Sequence, residues 1–157
     1  MNFIIRKATK ADTNHIYQLI KQLAPLFLEE QDFDTLEHFK CHKIDEFIQS
    51  NEFEYLLMQS EQELIGVIAL KKPSHLYHLF IAEKFQKQGY SRVLWDYLLE
   101  QHCSNVSEVI QVTVNASLNS VGVYERLGFH RLEQAVQTFN GMKFVPMRYS
   151  IFSSHNT

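Results

Sequence analysis

The alternation of apolar and polar positions divides the chain into strand and helix candidates in a regular order. Residues 3–7 read as a short first strand. Thr9-Lys10-Ala11-Asp12 resembles a capping box with Asp in place of the usual Glu, and Ile16, Leu19, Ile20 and Leu23 then recur on one helical face. Pro25 is expected to end or kink that helix, because proline lacks the backbone donor the helix needs. A second helix is predicted to start at Asp34, with Leu36, Phe39, Ile44, Phe47 and Ile48 as its buried stripe. Three strands are expected at residues 53–59, 64–71 and 75–81, the first two joined by a polar turn at 60–62 as an antiparallel hairpin. Tyr90, Val93, Leu94, Tyr97 and Leu98 fall at i, i+3, i+4, i+7 and i+8, the stripe of an amphipathic helix directly after Gly89. Residues 109–114 return to a strand pattern, and residues 118–127 read as a helix closed by Gly128. Residues 129–139 and 142–151 flank Asn140-Gly141, the strongest short signal for a hairpin.

The order is therefore β-α-α-β-β-β-α-β-α-β-β. A strand–helix–strand unit around Gly89 requires residues 75–81 and 109–114 to run parallel through a right-handed crossover, while the flanking hairpins are antiparallel. The expected fold is α/β: one domain over residues 1–157, with a mixed, mostly antiparallel sheet and helices on both faces. Three prolines and five glycines leave no room for a flexible linker, and 157 residues suffice for a sizeable core.

Charge and composition narrow the function classes. A net charge of −3 argues against a nucleic-acid surface, which carries an excess of Lys and Arg. The longest apolar run, residues 64–70, suits a buried strand and falls well short of a membrane span. The opening MNFIIRK meets charge too early for the apolar core of a signal peptide, and Cys41 and Cys103 lack CxxC spacing. Reduced thiols and a cytoplasmic location are expected from this pattern. Eight scattered histidines without HExxH point to no zinc site, and no metal is expected.

Two stretches carry candidate chemistry. Gln86-Lys87-Gln88-Gly89-Tyr90-Ser91 lacks the spacing of a dinucleotide fingerprint or a P-loop, yet it is a polar, glycine-containing turn opening onto a helix. Helix N-termini present unpaired N–H groups and partial positive charge, so such a turn can hold a phosphate or can simply be a packed strand–helix junction. Downstream, Tyr124 stands in the helical run Val121, Tyr124, Leu127, where an aromatic packs a core or presents a phenol.

Three stretches together resemble the GCN5-related N-acetyltransferase (GNAT) family over nearly the whole chain. Ile4-Ile5-Arg6-Lys7-Ala8-Thr9 with Asp12 looks like the family's opening strand and helix cap. Leu79-Phe80-Ile81 followed by Gln86-Lys87-Gln88-Gly89-Tyr90-Ser91 looks like its acyl-CoA motif, and Val123-Tyr124-Glu125-Arg126-Leu127-Gly128-Phe129 like its tyrosine-to-Gly-Phe ending. Ser91 departs from the family's Gly or Ala, and Ser117 stands where Asn is frequent, with Asn115 and Asn119 nearby.

The resemblance implies an acyltransferase that moves acetyl from acetyl-CoA to a primary amine by direct attack. The turn 86–91 would hold the pyrophosphate. Leu79, Phe80 and Ile81 would meet the pantetheine arm in a gap between parallel strands, and Asn115, Ser117 or Asn119 would touch it from the other side. Tyr124 would be the general acid. His78 could relay a proton as base, with His75, Glu83 or a water chain as alternatives. Glu29 and Glu30, with Asp32, would draw in a cationic acceptor, whether a small molecule or a peptide amine. An exposed last strand offers an edge for a homodimer. Two rivals remain: a non-catalytic acyl-CoA sensor of the same fold, and an interaction domain using Phe139, Phe144, Tyr149 and Phe152 as a partner surface.

Overall fold

The structure, a computed structural model, describes residues 2–28, 40–61, 63–103, 110–132, 136–139 and 142–151. Among these, eight strands and four α-helices follow the expected order. They are β1 (Ile4–Lys7), α1 (Thr13–Leu23), α2 (Cys41–Gln49), β2 (Phe53–Ser60), β3 (Glu63–Lys71), β4 (His75–Ile81), α3 (Tyr90–Cys103), β5 (Ile110–Ser117), α4 (Val121–Leu127), β6 (His130–Arg131), β7 (Gln137–Phe139) and β8 (Met142–Ile151). One sheet runs β1-β2-β3-β4-β5-β8-β6, with β7 also paired to β8. Only β4 and β5 are parallel, as the crossover through α3 requires.

The neighbouring inner strands β2 and β3 are apolar on both faces because both faces are covered. Tyr55, Leu57, Val67 and Ala69 join Ile16, Leu19, Ile20, Leu23 and Ile44 in a core under α1 and α2. The alternate residues Leu56, Met58, Ile68 and Leu70 join Leu94, Trp95, Leu98, Tyr124 and Phe129 in a second core under α3 and α4. This division is the period-two rule applied to two layers. Trp95, absent from the five-residue stripe read from the sequence, is fully buried against Phe129 and Tyr149, so the buried face of α3 is broader than that stripe.

Local chemistry sets the ends of the elements. Asp12 accepts the backbone N–H of Thr9 at 2.7 Å, the reciprocal bond of a capping box. Arg6 grips the same carboxylate with two bonds of 2.8 Å, and these hydrogen bonds hold Asp12 down at a pKa of about 2. Helix α1 stops at Leu23, and a 3-10 turn, Ala24–Leu26, carries Pro25. For the second helix, the described residues begin it at Cys41, with Ile44 buried and Phe47 and Ile48 packed beside it. The expected start at Asp34, with Leu36 and Phe39, lies outside the described residues. Gly66 lets β3 and β4 approach closely: a Cβ there would fall 2.7 Å from the carbonyl oxygen of Phe80.

The single strand expected at residues 129–139 is divided. Its two described pieces pair with β8 on either side of Val145 and Pro146. Leu132 donates its N–H to the Pro146 carbonyl at 2.9 Å, but proline has no N–H to return, and the ladder is interrupted there. Phe139 faces Met142 across the hairpin, whose Asn140-Gly141 tip lies outside the described residues.

Candidate active site

The parallel strands β4 and β5 pair at only two positions, His75 with Thr113 and Leu76 with Val114. His75 Nδ1 and Thr113 Oγ1 share a hydrogen bond of 2.8 Å at this junction. Beyond it the strands separate. On the other edge of β4, the register against β3 shifts, so that Leu70 faces Leu76 while Ala69 faces His78. The extra residue is Tyr77, a β-bulge that bends β4 where it leaves β5.

Ala82 donates its N–H to Ile65 at 2.8 Å, so the backbone groups of residues 80 and 82 face β3. By strand alternation, those of Leu79 and Ile81 face the gap. Gln86 Nε2 donates to the Ile81 carbonyl at 2.9 Å, tying the following turn to the strand end. The gap opens into a cleft of about 1560 Å³ running from α3 to the β7–β8 hairpin.

At one end of the cleft stands the turn 86–91. Two of its residues adopt left-handed backbone, Lys87 at φ 63° and Gly89 at φ 87°. Val93 donates to the Gly89 carbonyl at 3.2 Å, which makes Gly89 the N-cap of α3. The N–H groups of Tyr90, Ser91 and Arg92 therefore have no acceptor within the helix. No acidic side chain occupies the first turn of α3, and Lys87 and Arg92 line the cleft beside it. A Cβ on Gly89 would meet nothing within 4 Å; glycine answers to the backbone angle rather than to crowding by the protein.

Tyr124 reaches the cleft from α4, the helix that follows β5 across the gap. Gly128 at φ 105° ends α4, and Phe129 donates its N–H to the Tyr124 carbonyl at 2.9 Å, a Schellman-type closure. Phe129 then packs edge-on against the Tyr124 ring at 5.3 Å, fixing its position. Burial pushes the Tyr124 phenol well above its ordinary pKa, so it stays protonated at neutral pH.

Most residues expected at a cofactor site line this one cleft. Leu79, Phe80, Ile81, Gln86, Lys87, Gly89, Tyr90 and Ser91 do so from the β4 and α3 side. Asn115, Ser117 and Asn119 do so from the β5 side. Gln88 turns away, its side chain donating to the Lys84 carbonyl at 3.0 Å. Ser117 Oγ is hydrogen-bonded to Ser120 Oγ at 2.8 Å, and the Asn119 amide donates to the Leu26 carbonyl across the cleft, whereas Asn115 is exposed.

His78 lies on the α1–α2 face of β4. Its Nδ1 shares a 2.8 Å hydrogen bond with the Tyr55 hydroxyl inside a cage that includes Phe47, Tyr77 and Phe80. Burial lowers its pKa to about 3, and burial likewise lowers that of His75. Glu83 lines a separate, shallower groove with His15 and Lys84. Glu29, Glu30 and Asp32 lie outside the described residues. Among the described residues, no group of three His, Cys, Asp or Glu is placed to hold a metal, and no helix is long and apolar enough to cross a membrane.

Sequence reasoning missed the far end of the cleft, where Leu26, Phe27, Tyr77, Phe139 and Met142 form the wall. A tyrosine between two histidines in a strand carries no pattern that announces a bulge. The exposure of Phe139 depends on the hairpin extending beyond the sheet.

The comparisons with known proteins agree with this geometry. A search of the curated proteins returns no match. Solved structures share the fold at low identity. The GCN5-related N-acetyltransferase "Aminotransferase, Class-II" from Rhodopseudomonas palustris superposes with a TM-score of 0.78 at 18% identity, covering 96% of this chain and 97% of that one. The PaiA N-acetyltransferase from Thermoplasma acidophilum, in complex with coenzyme A, gives 0.74 at 19% identity, with 96% and 100% covered. An aminoglycoside 6'-N-acetyltransferase complexed with coenzyme A gives 0.72 at 14% identity, with 98% and 99% covered. The family model described as "Acetyltransferase (GNAT) domain" matches residues 27–151, which span the split strands, the turn at Gly89 and Tyr124. With one parallel pair opening into a cleft and four-fifths of its length matched by that model, the chain belongs to the GNAT acetyltransferase family.

Proposed function

We propose that the protein transfers an acetyl group from acetyl-CoA to a primary amine, with both substrates bound together in the cleft between β4 and β5. The observation that carries this reading is the coincidence, in one cleft, of an anion-seeking helix start, an unpaired strand edge and a protonated phenol. The two similar proteins solved with coenzyme A support it as relatives of the same fold.

The chain's residues fit the donor in three places. The N–H groups of Tyr90, Ser91 and Arg92, with Lys87 alongside, suit a pyrophosphate through charge-assisted hydrogen bonds. The backbone of Leu79 and the N–H of Ile81, whose carbonyl already accepts from Gln86, suit an extended amide-containing arm, which would add to the edge of β4 as a strand does. Tyr124 suits the thioester end. Acetyl-CoA supplies the activated acetyl group, and the protein supplies orientation and a hydrogen-bond donor.

The thiol formed from the departing thiolate has a pKa of about 8.5 by analogy with cysteine. The Tyr124 phenol is a weaker acid than that, so it serves the sulfur chiefly as a hydrogen-bond donor that stabilises the developing charge. The amine must lose its proton before attack. His78 and His75 are both weakened as bases by burial, which favours loss of the proton through water at the open mouth of the cleft. His78, neutral and held by Tyr55, then acts by shaping the acceptor face of β4. A covalent acyl-enzyme is not part of this proposal: Cys41 lies on α2, outside the cleft lining.

Incubation of the protein with acetyl-CoA and a panel of primary amines, read as free thiol, tests this reading. Amine-dependent thiol release is expected. Binding of acetyl-CoA without release for any amine would contradict turnover and favour the sensor of the same fold.

A further inference from the structure

The acceptor end of the cleft differs in chemistry from the phosphate end. Its wall is formed by Leu26, Phe27, Tyr77, Phe80, Phe139 and Met142, contributed by the turn after α1, by β4 and by the β7–β8 hairpin. Three of the eight most exposed large hydrophobic residues described gather here: Leu26 at 49%, Tyr77 at 39% and Phe139 at 63%. Exposed apolar side chains scattered singly need no explanation, but several converging on one concave wall mark a place that expects an apolar guest. The wall's rings also pack against one another and against the core. Phe27 and Phe80 meet at 5.6 Å between ring centres, and the bulge at Tyr77 sets that ring against Phe47 and Phe53 at 5.1 and 5.3 Å.

Lys87, Arg92, Arg126 and Lys143 line the cleft, and no Asp or Glu does so among the described residues. The two histidines in the lining are neutral at physiological pH, because burial lowers both. Lys87 and Arg92 stand at the start of α3, where the donor's phosphates would neutralise them. An amine carried on an apolar group buries that body against the aromatic wall.

Resting on the acetyltransfer reading above, we propose that the acceptor is a hydrophobic amine, with its primary amine on an aromatic or branched aliphatic group. The test compares 2-phenylethylamine with spermidine under saturating acetyl-CoA, following initial rates of thiol release, while calorimetry on the same preparation reports acetyl-CoA binding. The expected kcat/KM for 2-phenylethylamine is at least about tenfold above that for spermidine. Phe139→Ala, at an exposed position whose truncation leaves the core intact, is expected to raise KM for 2-phenylethylamine about tenfold with unchanged acetyl-CoA affinity. Equal or better use of spermidine would overturn the proposal and favour recruitment of a cationic amine by Glu29 and Glu30. Bound acetyl-CoA with neither amine acetylated would overturn it as well, and so would an unchanged KM in Phe139→Ala. Absence of acetyl-CoA binding would overturn the acetyltransfer reading along with it.

Discussion

Replacing Tyr124 by Phe is expected to lower kcat by roughly 10²- to 10³-fold, the span of one lost hydrogen-bond donor to a developing anion, while acetyl-CoA affinity and folding change little. The ring, not the hydroxyl, packs against Phe129, and Phe keeps that contact. The closure of α4 at Gly128 is backbone-made and survives the substitution. Only the phenolic proton is lost, and it matters where charge develops on sulfur. The loss should therefore fall on kcat more than on KM for acetyl-CoA, as expected for an interaction made in the transition state. Wild-type turnover in Tyr124→Phe would leave Tyr124 as a core aromatic that happens to line the cleft.

Gly89→Val is expected to weaken acetyl-CoA binding by about 5- to 150-fold, the equivalent of roughly 1–3 kcal/mol of backbone strain. At φ 87° a β-branched residue is a genuine outlier, so the turn would leave its native shape and binding would have to restore it. The space around the glycine is open, which separates this cause from steric collision with the protein. Asn tolerates left-handed backbone, so Gly89→Asn should keep most of the affinity that Val loses. Calorimetric titration of the two variants checks this. Equal affinities for wild type and Gly89→Val would remove the turn as the phosphate seat.

The part of the fold governed by periodicity was readable in the chain. Strands β2 and β3 divide their side chains between two cores by simple alternation, and α1 and α3 carry their apolar stripes at helical spacing. The crossover through α3 followed from handedness and required no contacts to be known. What the pattern could not convey is irregularity. The bulge at Tyr77, the early parting of β4 and β5 and the interruption opposite Pro146 arise from how strands meet. Each depends on pairing between distant residues.

The candidate site was legible to a similar depth. Gly89 stood out as the only glycine before a helix stripe, but its reason, a positive φ with open space around it, is a backbone fact. Tyr124 stood out through the resemblance of residues 123–129 to the family's tyrosine-to-Gly-Phe ending. The engagement of the Asn119 amide by the Leu26 carbonyl, 93 residues earlier in sequence, had no local signature. The aromatic wall at the far end of the cleft is likewise assembled from three distant segments, each unremarkable alone.

The central claim is that the cleft between β4 and β5 seats acetyl-CoA with its pyrophosphate at the start of α3. Its most direct test is calorimetric titration of the wild-type protein with acetyl-CoA and, under the same conditions, with pantetheine, which lacks the pyrophosphate. The account predicts saturable acetyl-CoA binding in the micromolar to sub-millimolar range. It predicts pantetheine binding at least about 100-fold weaker, because two or more charge-assisted hydrogen bonds are lost. No heat of binding at millimolar acetyl-CoA, or equal affinity for the two compounds, would contradict it.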